Sequence, residues 1–459
     1  MKRVICALLA AMLLVSMVAC DSSKEAAGEE SKKETQAIQG ETTMSEVVTS
    51  TKEETTVSEV ETSESTTETT EIETETTVSD TEDTSAETET SATATESSET
   101  ETTETETETE TETVEEVAYP VDGATIVLAN DEVYGWSSDY RYTKTDSSPY
   151  YRHEDIYYPI PVVFTWKEVA DADYYRVYLS TTEDFAESES YLINDNTLSL
   201  DHLFVGTKYY WTVIATQMVD GEEVNSYAVA PRSFTTELTP RCFRIDGVSN
   251  TRDIGGLECK NGYRIKQGMI YRGGKLEDMT EEGKEYFRNY IGITTDLDLR
   301  TPGEGGAGTV SPLGSDIKYV NIDGRYYVGS KGISNDLGKE LFAQEIRLFA
   351  DPDNYPIYIH CSLGRDRTGT LAFVIEALLG VTRLDLYMDY ELSVFSVTGT
   401  LDNASIPAIR NNIESTYNYI NANYSGANFS EKTENYLLSI GITPEEIQTI
   451  RDLLLEEVK

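Results

Sequence analysis

The chain has 459 residues, 83 acidic against 36 basic, for a net charge of −47 at neutral pH, with 5 cysteines and 3 histidines. That length holds two or three domains, and that acidity argues against a nucleic-acid partner. So few cysteines exclude a disulfide-built scaffold, and the scattered histidines give no zinc-ligand set, so neither a metal nor a cofactor is expected.

Met1-Lys2-Arg3 leads into an apolar run over residues 4–19 that is too short and wrongly flanked for a membrane span and reads as a secretory signal. Its end, Met17-Val18-Ala19-Cys20, resembles the bacterial lipoprotein signal, which is cut just before the cysteine. The resemblance implies lipidation of Cys20 by a diacylglyceryl thioether, holding the protein on the extracytoplasmic face of a bacterial cell membrane. An ordinary signal peptide with an incidental cysteine is the alternative. Residues 20–117 are a Thr, Glu and Ser tract: between residues 21 and 120 there are 31 acidic residues and 4 lysines, −27 of the total charge. With almost nothing apolar to bury, this segment reads as a disordered, self-repelling stalk, a solvated spacer in preference to a ligand-binding tail.

Composition changes near Tyr119, and residues 118–237 read as all-β, with strands at 162–166, 173–180, 208–216 and 227–235. Strands of this size separated by polar turns predict a β-sandwich whose inward faces carry Trp166, Tyr174 or Tyr175, and Trp211. Around Trp166 and Gly206-Thr207-Lys208-Tyr209-Tyr210-Trp211-Thr212-Val213 the segment resembles a fibronectin type III module, although the stretch 134–158 is not typical of one. Tyr140, Tyr142, Tyr150, Tyr151, Tyr157 and Tyr158 are read first as edge and loop packing; the other reading is a surface for a protein or carbohydrate ligand. No catalytic constellation is visible in this domain.

Residues 238–459 alternate strands (270–272, 295–299, 317–322, 357–359) with helices (281–290, 339–349, 368–379, 384–394, 444–455), which predicts a mostly parallel α/β sheet flanked by helices. Cys242 and Cys259 either pair or are two separate buried thiols. Cys361 opens the turn between the strand ending at Ile359 and the helix beginning at Thr368. Backbone N–H groups of such a turn, with the helix N-terminus, cradle an anion, and a guanidinium at Arg367 adds a bidentate clamp. The same field favours a thiolate at Cys361. Gly364 lets the backbone turn about the anion, so that Ser362, Leu363, Gly364, Arg365, Asp366 and Arg367 form a phosphate-binding loop. His360 is expected to fix the cysteine backbone, and the Thr368 hydroxyl to stabilise the thiolate.

At His360-Cys361-Ser362-Leu363-Gly364-Arg365-Asp366-Arg367-Thr368 the chain resembles the protein-tyrosine phosphatase superfamily, and within it the bacterial tyrosine and lipid phosphatases whose loop ends in Lys-Asp-Arg. Asn250-Thr251-Arg252-Asp253-Ile254-Gly255-Gly256, Ile270-Tyr271-Arg272-Gly273-Gly274-Lys275-Leu276 and Asp298-Leu299-Arg300-Thr301-Pro302-Gly303-Glu304 resemble three further motifs of that family, in order. The resemblance covers residues 240–455 and implies hydrolysis of phosphate monoesters, protein phosphotyrosine first, through a cysteinyl-phosphate on Cys361. Phosphoinositides or inositol phosphates are the alternative substrates, and Arg365, standing where the family usually has lysine, bears on that alternative because a guanidinium is not a point-charge ammonium.

For the general acid, Asp366 matches the aspartate this family is thought to use, whereas Asp323 falls where mobile-loop acids sit in other cysteine phosphatases; Asp366 is ranked first. Arg252, Asp253, Asp298 and Arg300 are expected to brace the loop. Two rival readings are a sulfur transferase and a surface binding protein with an inert phosphatase fold. The first lacks a reason for the downstream arginine, and the second for an intact Cys361 and Arg367.

Overall fold

A computed structural model describes residues 118–143, 157–324, 330–396 and 406–458. The signal, Cys20, the stalk, Tyr150, Tyr151 and the side chains of Tyr140 and Tyr142 lie outside the described residues. All described residues belong to one compact unit.

The N-terminal part contains β1 (Ala124–Ile126), α1 (Asp131–Thr143), β2 (Val162–Thr165), β3 (Tyr174–Ser180), β4 (Ser188–Ile193), β5 (Thr197–Leu200), β6 (Lys208–Val219) and β7 (Glu222–Thr236). A five-stranded sheet runs β1-β7-β6-β3-β4, and β2 pairs with β5 in a second, two-stranded sheet. The period of two along β3 sends Tyr175, Val177 and Leu179 inward. They meet Phe164, Trp166, Trp211 and Phe234 in one apolar core fed by both sheets. Between Tyr174 and Tyr175, it is Tyr175 that is buried, its ring 5.3 Å from that of Trp166.

Helix α1 departs from the all-β expectation. Asp131 and Glu132 lie in its first turn, where carboxylates favour the helix dipole. Val133 and Trp136, three residues apart, form its buried stripe. Trp136 packs edge-on against Phe395 at 5.1 Å, and Tyr157 donates to the Thr251 carbonyl at 3.1 Å. Both therefore sit in the core of the C-terminal domain, and the packing crosses the expected boundary at residue 238.

That domain contains β8 (Arg241–Cys242), β9 (Arg252–Asp253), β10 (Tyr263–Ile265), β11 (Ile270–Gly273), α2 (Glu281–Tyr286), β12 (Thr295–Asp298), β13 (Lys318–Asn321), α3 (Ser330–Ser334), α4 (Asp336–Leu348), β14 (Ile357–His360), α5 (Asp366–Leu379), α6 (Arg383–Ser396), α7 (Ile406–Asn423), α8 (Phe429–Ser439), α9 (Pro444–Leu454) and β15 (Leu455–Glu457). Its sheet runs β13-β12-β14-β11-β9-β8, parallel over the first four strands and antiparallel over the last two. This is the mostly parallel α/β sheet read from the sequence. Every residue of β14 is buried, as a central parallel strand covered on both faces requires. The helix expected over 281–290 narrows to α2, continued by a π turn to Ile291 and closed by Gly292 at φ 71°. In the C-terminal tail, α7 and α8 precede the expected helix α9.

Candidate active site

Strand β14 delivers Cys361 to the carboxyl edge of the sheet, between β11 and β12, and α5 starts five residues later. The thiol is buried, which by itself would raise its pKa. The Thr368 hydroxyl, the Arg367 charge and the amides of Thr368 and Leu363 outweigh that burial and hold the thiol below its ordinary value.

The loop is pinned from several sides. Gly364 has φ +66°, and a Cβ there would come within 2.2 Å of the Gly273 carbonyl oxygen, so only glycine fits. Arg272 donates to the Gly364 carbonyl at 2.9 Å, and Asn250 to that of Leu363 at 2.9 Å. His360 is fully buried, with Nε2 2.9 Å from Asp296 and Nδ1 3.3 Å from the Cys361 carbonyl oxygen. Burial depresses its pKa, but the Asp296 carboxylate raises it further, and the net direction is upward.

Arg367 reaches Glu304, with Nη2 2.6 Å from Oε1 and Nη1 2.8 Å from Oε2, and Nη1 also donates to the Leu299 carbonyl at 3.2 Å. The Ser362 hydroxyl donates to the same carboxylate at 2.9 Å. The hydrogen bonds from Arg367, foremost, hold the Glu304 carboxyl at about 2, well below its ordinary range. Glu304 stands in the Asp-Leu-Arg motif, yet sequence reasoning gave it no role; its place four residues after Arg300 was the signal.

The two candidate acids are placed differently. Asp366 accepts from Arg365 Nη2 at 2.8 Å and Nε at 3.1 Å, and from the Tyr390 hydroxyl at 3.1 Å. Asp323 lies on the loop after β13 and accepts from the Thr301 hydroxyl at 3.0 Å. The next residue, Gly324, packs on the stem of Arg367, where a Cβ would lie 3.1 Å from Cδ.

The bracing residues form buried networks around the loop. Arg252 donates to Asp389 Oδ1 at 2.7 Å and to Asn250 Oδ1 at 2.7 Å, while Arg272 bonds the other Asp389 oxygen. Asp389 sits inside the apolar run of α6, and a charge on a buried helix face was the sequence signal for it. Arg300 bridges Asp298 and Glu277, at 2.7 and 2.6 Å from Nη2. Asp253 pairs with Arg241 at 2.7 Å, and Arg241 also donates to the Leu203 carbonyl, tying the β-rich part to this sheet. Cys242 and Cys259 are separate free thiols, each pushed up to about 12 chiefly by burial. Among the described residues no His, Cys, Asp and Glu cluster is placed to hold a metal ion.

Residues 243–456 match the family described as the tyrosine phosphatase family. The matched segment spans the α/β sheet and the Cys361 loop. The chain is similar to a tyrosine-protein phosphatase of Cupriavidus necator, 26% identical over 166 residues, which cover 32% of this chain and 60% of the relative. It is also similar to a tyrosine-protein phosphatase of Dictyostelium discoideum, 32% identical over 56 residues, 12% of this chain and 34% of the relative. The aligned stretches thus span less than two thirds of either relative. A solved structure, the core catalytic domain of a PP-IP phosphatase from S. cerevisiae in complex with citrate, is 23% identical, with a TM-score of 0.21, over 30% of this chain and 79% of that one.

Proposed function

We propose that this protein hydrolyses phosphate monoesters, phosphotyrosine in protein first, through a cysteinyl-phosphate on Cys361. The observation that carries the reading is a single loop that holds a buried thiol with a depressed pKa beside Arg367, at the N-terminus of α5. The Cys361 thiolate attacks phosphorus, forming the S–P bond as the P–O ester bond breaks. The amides of the loop and Arg367 take up charge on the equatorial oxygens. A carboxylic acid protonates the departing alcohol or phenol; its carboxylate then takes a proton from the water that attacks phosphorus and breaks the S–P bond, releasing inorganic phosphate and the thiolate.

Asp323 is the proposed acid. Asp366 is held by both Arg365 nitrogens and by Tyr390, as a carboxylate kept in a structural ion pair would be, whereas the Asp323 loop packs through Gly324 on Arg367 itself. These contacts support Asp323 as the acid, although the loop sequence ranks Asp366 first. The engagement of Arg365 with Asp366 also favours phosphotyrosine over a phosphoinositide headgroup, because that guanidinium is directed within the loop. Release of para-nitrophenol from its phosphate by the wild-type protein and by Cys361→Ser tests the reading; full activity in the variant would end it.

The chain would act outside the cytoplasm, held to the membrane by a lipid on Cys20 with residues 20–117 as spacer, and the β-rich part would resemble a fibronectin type III module set beside the catalytic domain. The signal, the cysteine after it and the acidic composition of the tract support this. Metabolic labelling with palmitate, compared between wild type and Cys20→Ala, tests it, and equal labelling of the two would remove the anchor.

A further inference from the structure

A groove of about 900 Å³ opens directly beside the catalytic loop, with Ser362 and Leu363 in its wall. It is far larger than a phosphate needs, so it receives whatever the phosphate is attached to. Its walls come from both parts of the chain. The Asp246-Gly247-Val248-Ser249 turn and α2 belong to the phosphatase domain, while Tyr158 and Asp201 belong to the N-terminal part, Tyr158 from the segment after α1 and Asp201 from the end of β5. Asp201 is fixed there by the Tyr286 hydroxyl, which donates to it at 2.9 Å, and Tyr158 by the Arg244 guanidinium 4.2 Å above its ring.

The charge of these walls is one-sided. Among the described residues that line the groove, Asp201, Asp246, Asp278 and Glu282 stand against Arg244 and Lys275; Lys275 is itself paired with Asp278, and Asp201 lies 3.8 Å from His202 Nδ1. Asp246 and Glu282 are exposed. A polyphosphorylated inositol, which carries several negative charges beyond the reacting phosphate, would meet net repulsion along this groove. A peptide with lysine or arginine near the phosphorylated residue would meet complementary charge, and the tyrosine wall supplies flat apolar area for its stems.

Resting on the phosphatase reading of the Cys361 loop, we infer that this groove is the substrate-selecting surface, that it takes the peptide flanking the phosphorylated residue, and that it prefers basic flanks. The N-terminal part is then a component of the substrate site, since Asp201 and Tyr158 close one side of it.

The test uses the full chain and measures kcat/KM on phosphotyrosine peptides that differ only in flanking Lys/Arg or Asp/Glu, with para-nitrophenyl phosphate and inositol hexakisphosphate alongside. Exposed charge pairs contribute modestly each, so a preference of roughly fivefold to tenfold for basic flanks is expected, shrinking as salt is raised. In an Asp246→Lys, Glu282→Lys double variant the ratio of basic to acidic peptide turnover should fall to one or invert, a ratio that is independent of any change in overall rate. Turnover of para-nitrophenyl phosphate with no charge preference among peptides overturns the groove assignment and leaves the phosphatase reading standing, as does faster turnover of the inositol phosphate than of any peptide. Absence of para-nitrophenol release from the wild type overturns both.

Discussion

Glu304 receives both terminal nitrogens of Arg367, Nη2 at 2.6 Å and Nη1 at 2.8 Å, so the guanidinium of the catalytic loop is oriented by a carboxylate from the β12–β13 connection. Paired end-on forks of this kind fix the plane of an arginine as well as its charge. The depressed pKa of Glu304, about 2, keeps it ionised wherever the enzyme would work. Replacing it with Gln removes the charge of a charge-assisted pair, a loss of about 1.5–3 kcal/mol. The predicted outcome for Glu304→Gln is a kcat/KM for para-nitrophenyl phosphate lowered by roughly tenfold to a hundredfold. An unchanged kcat/KM in a variant that melts at the wild-type temperature would show that Arg367 needs no such partner.

If Asp323 gives the proton, its loss matters most when the leaving group is poor. Asp323→Asn should lower kcat by roughly 10²–10⁴ for a peptide phosphotyrosine and much less for a dinitrophenyl ester, whose phenolate departs without help. Asp366→Asn should instead lower thermal stability, because Arg365 and Tyr390 lose their carboxylate. The opposite pattern, with the leaving-group dependence appearing only in Asp366→Asn, would restore the order suggested by the loop sequence.

The depressed thiol pKa of Cys361 predicts a specific pH dependence. The reactive form is the deprotonated one, so iodoacetamide alkylation should be fast above the thiol pKa and fall as pH drops through it, with a midpoint below that of a free cysteine. Thr368→Val removes the hydroxyl that most lowers this pKa, and the midpoint should move upward. A midpoint that stays in place would mean that Arg367 and the loop amides suffice alone.

The Cys361 loop with its arginine and the parallel strands were legible because their signals are local. A buried parallel strand reads as an apolar run, and the loop after it needs its cysteine, glycine and arginine at fixed spacing. The partners of that loop were harder to read, since Glu304 and Asn250 reach it across 63 and 113 positions of sequence, and Asp389 binds Arg252 across 137. The helix inside the N-terminal part was missed for a related reason. Its buried stripe among the described side chains is short, Val133 and Trp136 with Ser137, and it is stable because another domain covers that stripe.

Asp389 and Glu376 lie in the same buried cluster and should behave oppositely. Burial raises the Asp389 pKa, but Arg252 and Arg272 overcome it and hold the carboxyl at about 2. Its contribution to stability is therefore present above the unfolded value of 3.8 and lost as pH falls towards 2. Burial, with Asp389 close by, pushes Glu376 well above 4.5, so its contribution is full below 4.5 and lost as pH rises through the raised value. Urea unfolding near neutral pH should find Asp389→Ala destabilised by about 3–5 kcal/mol, since two buried guanidinium groups lose their partner. Glu376→Gln, which keeps a neutral hydrogen-bonding group, should cost within about 1 kcal/mol. Equal losses in the two variants would mean that Glu376 is ionised in the fold.

Because Trp136 and Tyr157 fill the core of the C-terminal α/β domain, that domain should not be separable at residue 238. Trp136 is fully buried against Phe395, and Trp136→Ala should cost about 3–5 kcal/mol through the cavity it leaves. A chain of residues 238–459 loses both aromatic side chains, the Tyr157 bond to Thr251 and the contact of Leu203 with Arg241. It also bares the apolar face of α6 that α1 covers, which favours aggregation. Differential scanning calorimetry of 118–459 against 238–459 should therefore find a lower melting temperature or an insoluble product for the shorter chain. Melting of the two at one temperature would mean that the N-terminal part merely rests on a domain already complete, and the groove beside Ser362 would then owe Tyr158 and Asp201 to a contact of little strength.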